Sequence, residues 1–245
     1  MTTGIILAGG LGSRLSPLTN TENKHLLPVY NRRMIELPIG SLVEAGIKDI
    51  ILVTGGKHPG RFLEFLKNGH DLGINHLYYA YQEGEGGIID ALKLAFPFIK
   101  YGDPCVVILG DNYFENSIRN EIVNWEYKHY GARTILTKVS NPKRFGIANL
   151  SDDNKKIISI EEKPVTPKSN LAVTGLFFFD YYVWDFCNQV VASKRGETEI
   201  TDVLNIYNRL NLLEYSIYDG YWGDMGVFKT LSDVSKRLEN IDRGF

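Results

Sequence analysis

Gly4-Ile5-Ile6-Leu7-Ala8-Gly9-Gly10-Leu11-Gly12-Ser13-Arg14-Leu15 runs from an apolar stretch through a bend with three glycines to an arginine. The apolar stretch reads as a buried first strand. Glycine has no Cβ, so a glycine bend straight after a strand lets backbone N–H groups come close to phosphate oxygens. Arg14 adds a permanent positive charge and a fork of donors beside the bend. Gly9, Gly10, Gly12 and Arg14 are therefore candidates for holding phosphate. The bend fits neither common nucleotide fingerprint. Ser13-Arg14-Leu15 follows Gly12, so the third glycine of the dinucleotide motif is missing, and no Gly-Lys-Ser/Thr follows as in a Walker loop.

Outward from this segment, the first half keeps one rhythm. Apolar run 50–53 ends at Thr54-Gly55-Gly56, run 77–81 at Gln82, and run 106–109 at Gly110-Asp111. Between them, Met34, Leu37, Leu42 and Ala45 share a helix face with Gly46 as its stop, provided that Pro38 lies in the first turn. Phe62, Phe65 and Leu66, then Leu92, Leu94 and Ala95, continue the alternation. The pattern predicts a Rossmann-like α/β fold, with a mixed, mainly parallel central sheet covered by helices on both faces. In such sheets ligands bind beyond the carboxyl ends of the strands. That puts Gly9-Gly10, Gln82 and Asp111 along one crevice.

The second half changes character. Residues 145–150, 157–162 and 173–179 read as strands with no room for helices between them, as antiparallel strands or an inserted smaller lobe. Ile200, Val203, Leu204 and Tyr207 recur at helical spacing, with Thr198 as N-cap. Residues 212–217 read as a strand, and a final helix runs from 227 to about 238.

With 245 residues and a net charge of −2, the chain has no bulk attraction for nucleic acid or anionic membranes. No apolar run approaches the ~20 residues of a membrane span, and no basic n-region of a secretory signal precedes the first strand. The expectation is a soluble, cytoplasmic protein. Cys105 and Cys187 lie in apolar stretches and are expected as buried, reduced thiols. His25, His58, His70, His76 and His129 lack metal-ligand spacing. No serine sits in a nucleophile elbow.

Lys24, in Asn23-Lys24-His25-Leu26-Leu27-Pro28, reads either as a solvated charge or as a second cation for the same phosphates. Lys163, in Glu161-Glu162-Lys163-Pro164, carries the same two readings. Asp111 closes an apolar strand, where a carboxylate is costly unless paired, hydrogen-bonded or metal-bound; a Gly110-Asp111-Asn112 turn is the plainer alternative. Asp224, in Tyr221-Trp222-Gly223-Asp224-Met225-Gly226, has a similar setting. Two carboxylates and phosphate oxygens suit Mg²⁺.

In their order and spacing, these segments resemble the sugar-1-phosphate nucleotidyltransferases, and within them the short-form thymidylyltransferases acting on glucose 1-phosphate. The resemblance spans nearly the whole chain. It rests on the first fifteen residues, on Asn23-Lys24-His25-Leu26-Leu27-Pro28-Val29, and on Leu109-Gly110-Asp111-Asn112. Glu161-Glu162-Lys163-Pro164 follows, then Pro167-Lys168-Ser169-Asn170 with Ala172-Val173-Thr174-Gly175. Arg195-Gly196-Glu197, Glu199-Ile200-Thr201-Asp202 and Trp222-Gly223-Asp224 complete it.

The resemblance implies a nucleotide-diphospho-sugar transferase fold with a smaller sugar-binding lobe. It implies one domain over 1–245, with a nucleotide-binding part about 1–115, a sugar-phosphate-binding part about 116–226 and a C-terminal helix about 227–245. The implied reaction joins a nucleoside triphosphate, dTTP, to glucose 1-phosphate, giving dTDP-glucose and pyrophosphate by in-line attack on the α-phosphorus. Arg14, Lys24, Asp111 and Lys163 are the implied catalytic residues. Leu7, Ala8, Gly9, Gly10, Gly12, Ser13, Arg14, Gln82, Gly87 and Asp111 would surround the nucleotide. Asn112, Gly146, Glu162, Lys163, Val173 and Trp222 would surround the sugar phosphate. Asp111 and Asp224 would bind Mg²⁺. A homo-oligomer, dimer or tetramer, is implied, with no nucleic-acid or membrane partner, in the supply of activated sugars for polysaccharide or glycosylated metabolites.

Three departures stand out. Gly87-Ile88 is usually followed by Ala-Gln in the family, but here by Ile89-Asp90, which is expected to put a bulkier group and a negative charge beside the base and sugar pocket. Val227 replaces the threonine of a Trp-x-Asp-x-Gly-Thr segment. Phe145 stands where tyrosine is common. The chain also ends at Phe245, without the longer helical tail tied to effector regulation in some relatives. The competing readings are the same chemistry with UTP, CTP or another hexose 1-phosphate, a non-catalytic nucleotide-sugar binder, and a dinucleotide-dependent oxidoreductase.

Overall fold

The opening apolar run becomes β1 (Thr3–Ala8), an inner strand of a nine-stranded sheet. The computed structural model describes residues 2–84, 86–128, 130–192, 196 and 198–243. After β1 come the short β2 (Pro28–Val29) and β3 (Arg32–Arg33), then β4 (Asp49–Gly55), β5 (His76–Gln82), β6 (Cys105–Leu109), β7 (Asn112–Phe114) and β8 (Ala132–Lys138). β9 (Gly146–Leu150), β10 (Ile157–Glu162), β11 (Leu171–Phe179), β12 (Leu213–Ile217) and β13 (Trp222–Asp224) complete the strands. The helices are α1 (Glu36–Glu44), α2 (Gly60–Leu66), α3 (Ile88–Lys93), α4 (Arg119–Lys128), α5 (Val183–Cys187), α6 (Ile200–Arg209) and α7 (Phe228–Asp242).

β6, β1, β4 and β5 form the parallel part, in that spatial order. The residues of β6, β1 and β4 are largely buried on both faces, because helices cover both, whereas β5 at the edge leaves His76, Tyr78 and Tyr81 exposed. Ile5, Leu7, Ile51, Val53 and Val107 pack on one face with α3, α5 and α6. Ile6, Ala8, Ile50, Leu52, Val106 and Ile108 pack on the other with α1, α2 and α4. Pro38 lies in the first turn of α1, where its missing N–H costs no helical hydrogen bond.

β9, β10 and β11 are antiparallel and extend the same sheet, and β8 joins antiparallel to β11 and carries β12 parallel to itself. The aromatic end of β11 is fully buried, and the Asp180 that follows it is buried as well. Asp180 is satisfied by Gly131 N–H, Tyr182 N–H and the Tyr207 hydroxyl. Cys105 and Cys187 are buried free thiols, and burial raises both pKa values, that of Cys187 to about 12. The outer strand β10 is shielded by α6. The Asn205 amide both accepts from Ile160 N–H and donates to Ile160 C=O, taking the place of a neighbouring strand.

Two expectations need correction and several elements were missed, α4 and β8 the longest of them. Thr198 is not the N-cap of α6; Glu199 holds that position, and the Thr198 hydroxyl donates to Gly86 C=O. The final helix extends past 238 to Asp242. β8 and α4 carried no clear sequence pattern. α4 buries little beyond Ile122 and Trp125, so its apolar stripe is faint. A third core cluster joins α7 to Leu15, Leu27, Val29, Met34 and Met225. No helix of the described residues is long and apolar enough to cross a membrane.

Candidate active site

β11 explains where the cleft lies. On one edge, its residues 176–179 pair with β6, and Ala172 pairs with β9. Val173, Thr174 and Gly175 fall between those two neighbours, and the sheet opens there. The gap adjoins the carboxyl ends of β1 and β6, where the strand order reverses direction, the usual ligand position in such sheets. One half of the cleft, about 320 Å³, lies over the glycine bend and is lined by Gly9, Gly10, Lys24, Gln82 and Gly87 among others. The second half, about 230 Å³, is lined by Asn112, Gly146, Val173, Trp222 and Asp224 among others. Arg14, Asp111, Glu162 and Lys163 line both halves.

The glycine bend is shaped by close contacts. Gly12 has φ 68, a left-handed backbone that favours glycine, and a Cβ there would fall 2.8 Å from Lys24 Cβ. Ser13 opens a short 3-10 turn whose Leu15 is fully buried in the third cluster, contributing about 1.5–3 kcal/mol. That anchor leaves Arg14 exposed toward the cleft. Leu7, Gly9 and Gly10 line the cleft, whereas Ala8 packs inward, Gly12 lies beneath Lys24, and Ser13 does not line either half.

Lys24 crosses from its own 3-10 turn over Gly10 to Asp111, with Nζ 2.7 Å from Oδ2. Lys24 is only 9% exposed, so the pair is largely shielded from solvent. Burial alone would raise the Asp111 carboxyl. The Lys24 ammonium, with hydrogen bonds from Lys24 and Asn112, instead holds it well below the usual carboxylate range. His25 and Asn23, not singled out from the sequence for the site, fix this turn. Asn23 donates to Gly55 C=O and Lys57 C=O, which turns its Oδ1 toward His25. His25 Nδ1–H therefore donates to Asn23. Burial, then the Lys24 charge, lower the His25 pKa to about 3, partly opposed by Asp111, so the ring is neutral.

Asp224 reaches Asp111 through a strand pairing. β13 pairs with β7, opposing Asp224 to Asn112, and Met225 N–H donates to Asp111 C=O at 2.9 Å. The convergence is visible at Gly226, where a Cβ would lie 2.9 Å from Asp224 Oδ1, 3.0 Å from Arg14 Nη2 and 3.7 Å from Asp111 Oδ2. Burial, then the Asp111 charge, raise the Asp224 pKa. Asn112 works as a brace: its Oδ1 accepts from Gly175 N–H and Trp222 Nε1–H.

Lys163 follows β10, and its N–H donates to Phe145 C=O. Its φ of 45 is a left-handed conformation, costing on the order of 1–2 kcal/mol for a residue with a Cβ. Glu162 opposes Gly146 across the β9–β10 pairing. Gln82 is buried and donates to Gly87 C=O at 3.0 Å. Gly87 has φ 97 against Thr198, where a Cβ would fall 2.7 Å from a carbonyl oxygen.

The Ile89 half of the Ile89-Asp90 expectation is overturned. Ile89 is fully buried in the core rather than beside the cleft, and Ile88 lines the cleft instead. The Asp90 carboxylate turns toward Gly86 and the Thr198 hydroxyl. Val227 proves to be the N-cap position of α7, so the missing threonine is a missing cap. Phe145 packs edge-on against Trp222. Arg195, Glu197 and His129 lie outside the described residues.

Asp111 and Asp224 offer hard carboxylate oxygens at one point of the cleft, beside the Arg14 guanidinium. No group of three or more His, Cys, Asp or Glu forms a closed metal site among the described residues. The pair thus suits Mg²⁺, which keeps waters and takes substrate phosphate oxygens, better than a fully protein-ligated ion.

Comparison with known proteins gives a consistent result. A family model described as nucleotidyl transferase matches residues 3–241. The glucose-1-phosphate thymidylyltransferase of Neisseria gonorrhoeae is 39% identical over 241 residues, 97% of this chain and 83% of that protein. That of Mycolicibacterium smegmatis is 39% identical over 242 residues, 98% of this chain and 83% of that protein. A Bacillus anthracis structure assigned as a glucose-1-phosphate thymidylyltransferase, in complex with sucrose, superposes with a TM-score of 0.91 at 41% identity, covering 98% of this chain and 96% of that one. A UDP-glucose pyrophosphorylase bound to UDP-glucose has a TM-score of 0.83 at 20% identity, covering 98% of this chain and all of that one, and shares the fold.

Proposed function

Because the chain belongs to the nucleotidyl transferase family, we propose that it transfers a thymidylyl group from dTTP to glucose 1-phosphate, releasing pyrophosphate. The observation that carries this reading is the convergence of Arg14, Lys24, Asp111, Lys163 and Asp224 on one cleft over the glycine bend.

The triphosphate lies over Gly9 and Gly10, where the backbone allows close approach. Arg14 and Lys24 balance charge that builds on the α-phosphate and the leaving pyrophosphate. Lys163 holds the sugar phosphate, with Gly146, Glu162, Val173 and Trp222 around the sugar. One phosphate oxygen of the sugar phosphate forms the new bond to the α-phosphorus as the bond to pyrophosphate breaks on the opposite side. No protein nucleophile is required; positioning and charge neutralisation do the work. Asp111 and Asp224 would hold Mg²⁺, which would add positive charge at the phosphates. Gln82 and Gly87 face the base.

The reading includes a single domain, a cytoplasmic location where triphosphates are made, and a homo-oligomer measurable by light scattering. Its test is pyrophosphate release across a matrix of dTTP, UTP and CTP against hexose 1-phosphates. The expected maximum is dTTP with glucose 1-phosphate and Mg²⁺, lost in Asp111→Asn. No release from any combination would overturn the reading, and a maximum with UTP would move the base assignment.

A further inference from the structure

Arg144 has no part in the chemistry above. It ends a 3-10 turn (Pro142–Arg144) just before β9 and lines the lobe half of the cleft. Its guanidinium lies 5.2 Å from the Phe145 ring centroid, and Phe145 in turn rests on Trp222. Lys163 leaves β10 beside it, since Glu162 opposes Gly146 and Lys163 N–H reaches Phe145 C=O. Two cations therefore flank one opening, one from each strand of the β9–β10 ribbon.

Arg144 Nη2 donates to Asp224 Oδ2 at 3.2 Å, while Gly226 N–H donates to Oδ1 at 3.0 Å. Asp224 is thus the residue wanted by both Arg144 and a divalent cation. Lys24 stands in the corresponding relation to Asp111. The two pairs differ in what the basic partner could do when displaced. Lys24 is buried against the glycine bend and stays beside the triphosphate, whereas Arg144 is more open and sits next to Lys163.

We propose that Arg144 is a partner-switching residue: it competes with a divalent cation for Asp224 Oδ2, and the displaced guanidinium binds the phosphate of the sugar 1-phosphate beside Lys163. An arginine suits this double role, because its fork fits carboxylate and phosphate equally. Metal occupancy at Asp224 and recognition of the sugar phosphate are thereby coupled through one side chain. The inference rests on the proposed reaction for the identity of the phosphate ligand, but not for the competition at Asp224.

The test uses Arg144→Ala and Arg144→Lys in the full chain, with Mn²⁺ as the metal probe. Mn²⁺ binding to the protein alone, read by paramagnetic resonance, is expected to tighten ~10-fold in Arg144→Ala, as a charge-assisted competitor is removed. The KM for glucose 1-phosphate is expected to rise ~10–100-fold while the KM for dTTP holds, with Arg144→Lys partly rescuing both effects. In an Asp224→Asn background, Arg144→Ala should leave Mn²⁺ affinity unchanged. Unchanged or weaker Mn²⁺ binding in Arg144→Ala overturns the competition, and an unchanged KM for glucose 1-phosphate overturns the phosphate contact. If the parent protein releases no pyrophosphate, the proposed reaction fails, yet the Mn²⁺ titration still decides the switch.

Discussion

His25 carries a pH dependence that its position forces. Buried behind Lys24, it remains neutral down to about pH 3, whereas in the unfolded chain it takes a proton near its ordinary value of 6.5. Between those values the unfolded state binds more protons than the folded state, so stability falls as pH falls. Relative to His25→Gln, the parent chain is expected to lose up to about 1.4 kcal/mol per pH unit below 6.5, read from urea unfolding at stepped pH. Parallel curves for the two proteins would show that His25 is solvated in the folded state. Asp111 adds to the same trend further into acid: the Lys24 ammonium keeps it ionised where the unfolded chain already takes a proton, so this contribution too is lost as pH falls. Lys24 and Asp111 were legible from sequence as candidates, Asp111 at a strand end and Lys24 before an apolar segment. Asn23, His25 and Arg144 were not, since a lone asparagine, histidine or arginine has no pattern until its neighbours in space are known.

α7 shows how an element gives a departure its physical meaning. From sequence, Val227 stands only as a valine in place of the threonine of a Trp-x-Asp-x-Gly-Thr segment. Val227 has extended backbone at the N-cap of α7 and makes no side-chain cap hydrogen bond. Helix N-termini leave N–H groups without internal partners, and a threonine there accepts from one of them. Val227→Thr is therefore expected to stabilise the protein by about 1 kcal/mol, raising the melting temperature by about 2–4 °C with catalysis unchanged. A lower melting temperature would mean that packing of the valine outweighs the cap. The α3 segment holds the same lesson. Ile89 occupies the inward face of its helix, so the substitution that seemed to alter the base pocket enlarges the core.

At the scale of the whole molecule, the sheet does not divide where the function divides. β6 belongs to the first half, yet its residues pair with Leu176, Phe177, Phe178 and Phe179 of β11. A fragment of residues 1–115 would leave that edge of β6 unpaired and much of both cores open. It is expected to show no cooperative melt by near-ultraviolet circular dichroism, while the full chain melts in one transition. Two separate transitions would instead mark two independent domains. The sequence by itself determined the alternating strands and helices of the first half, the crevice at the strand ends, and most of the charged residues lining it. Those follow from periodicity and from local rules about glycine, proline and buried charge. Only the tertiary structure decided that Asp224 meets Asp111, that Arg144 holds Asp224, and that Ile89 turns away from the cleft. Each of these depends on a pairing between segments distant in sequence or on the rotation of a helix. Such contacts are set by how the layers pack together, and no local run of residues records them.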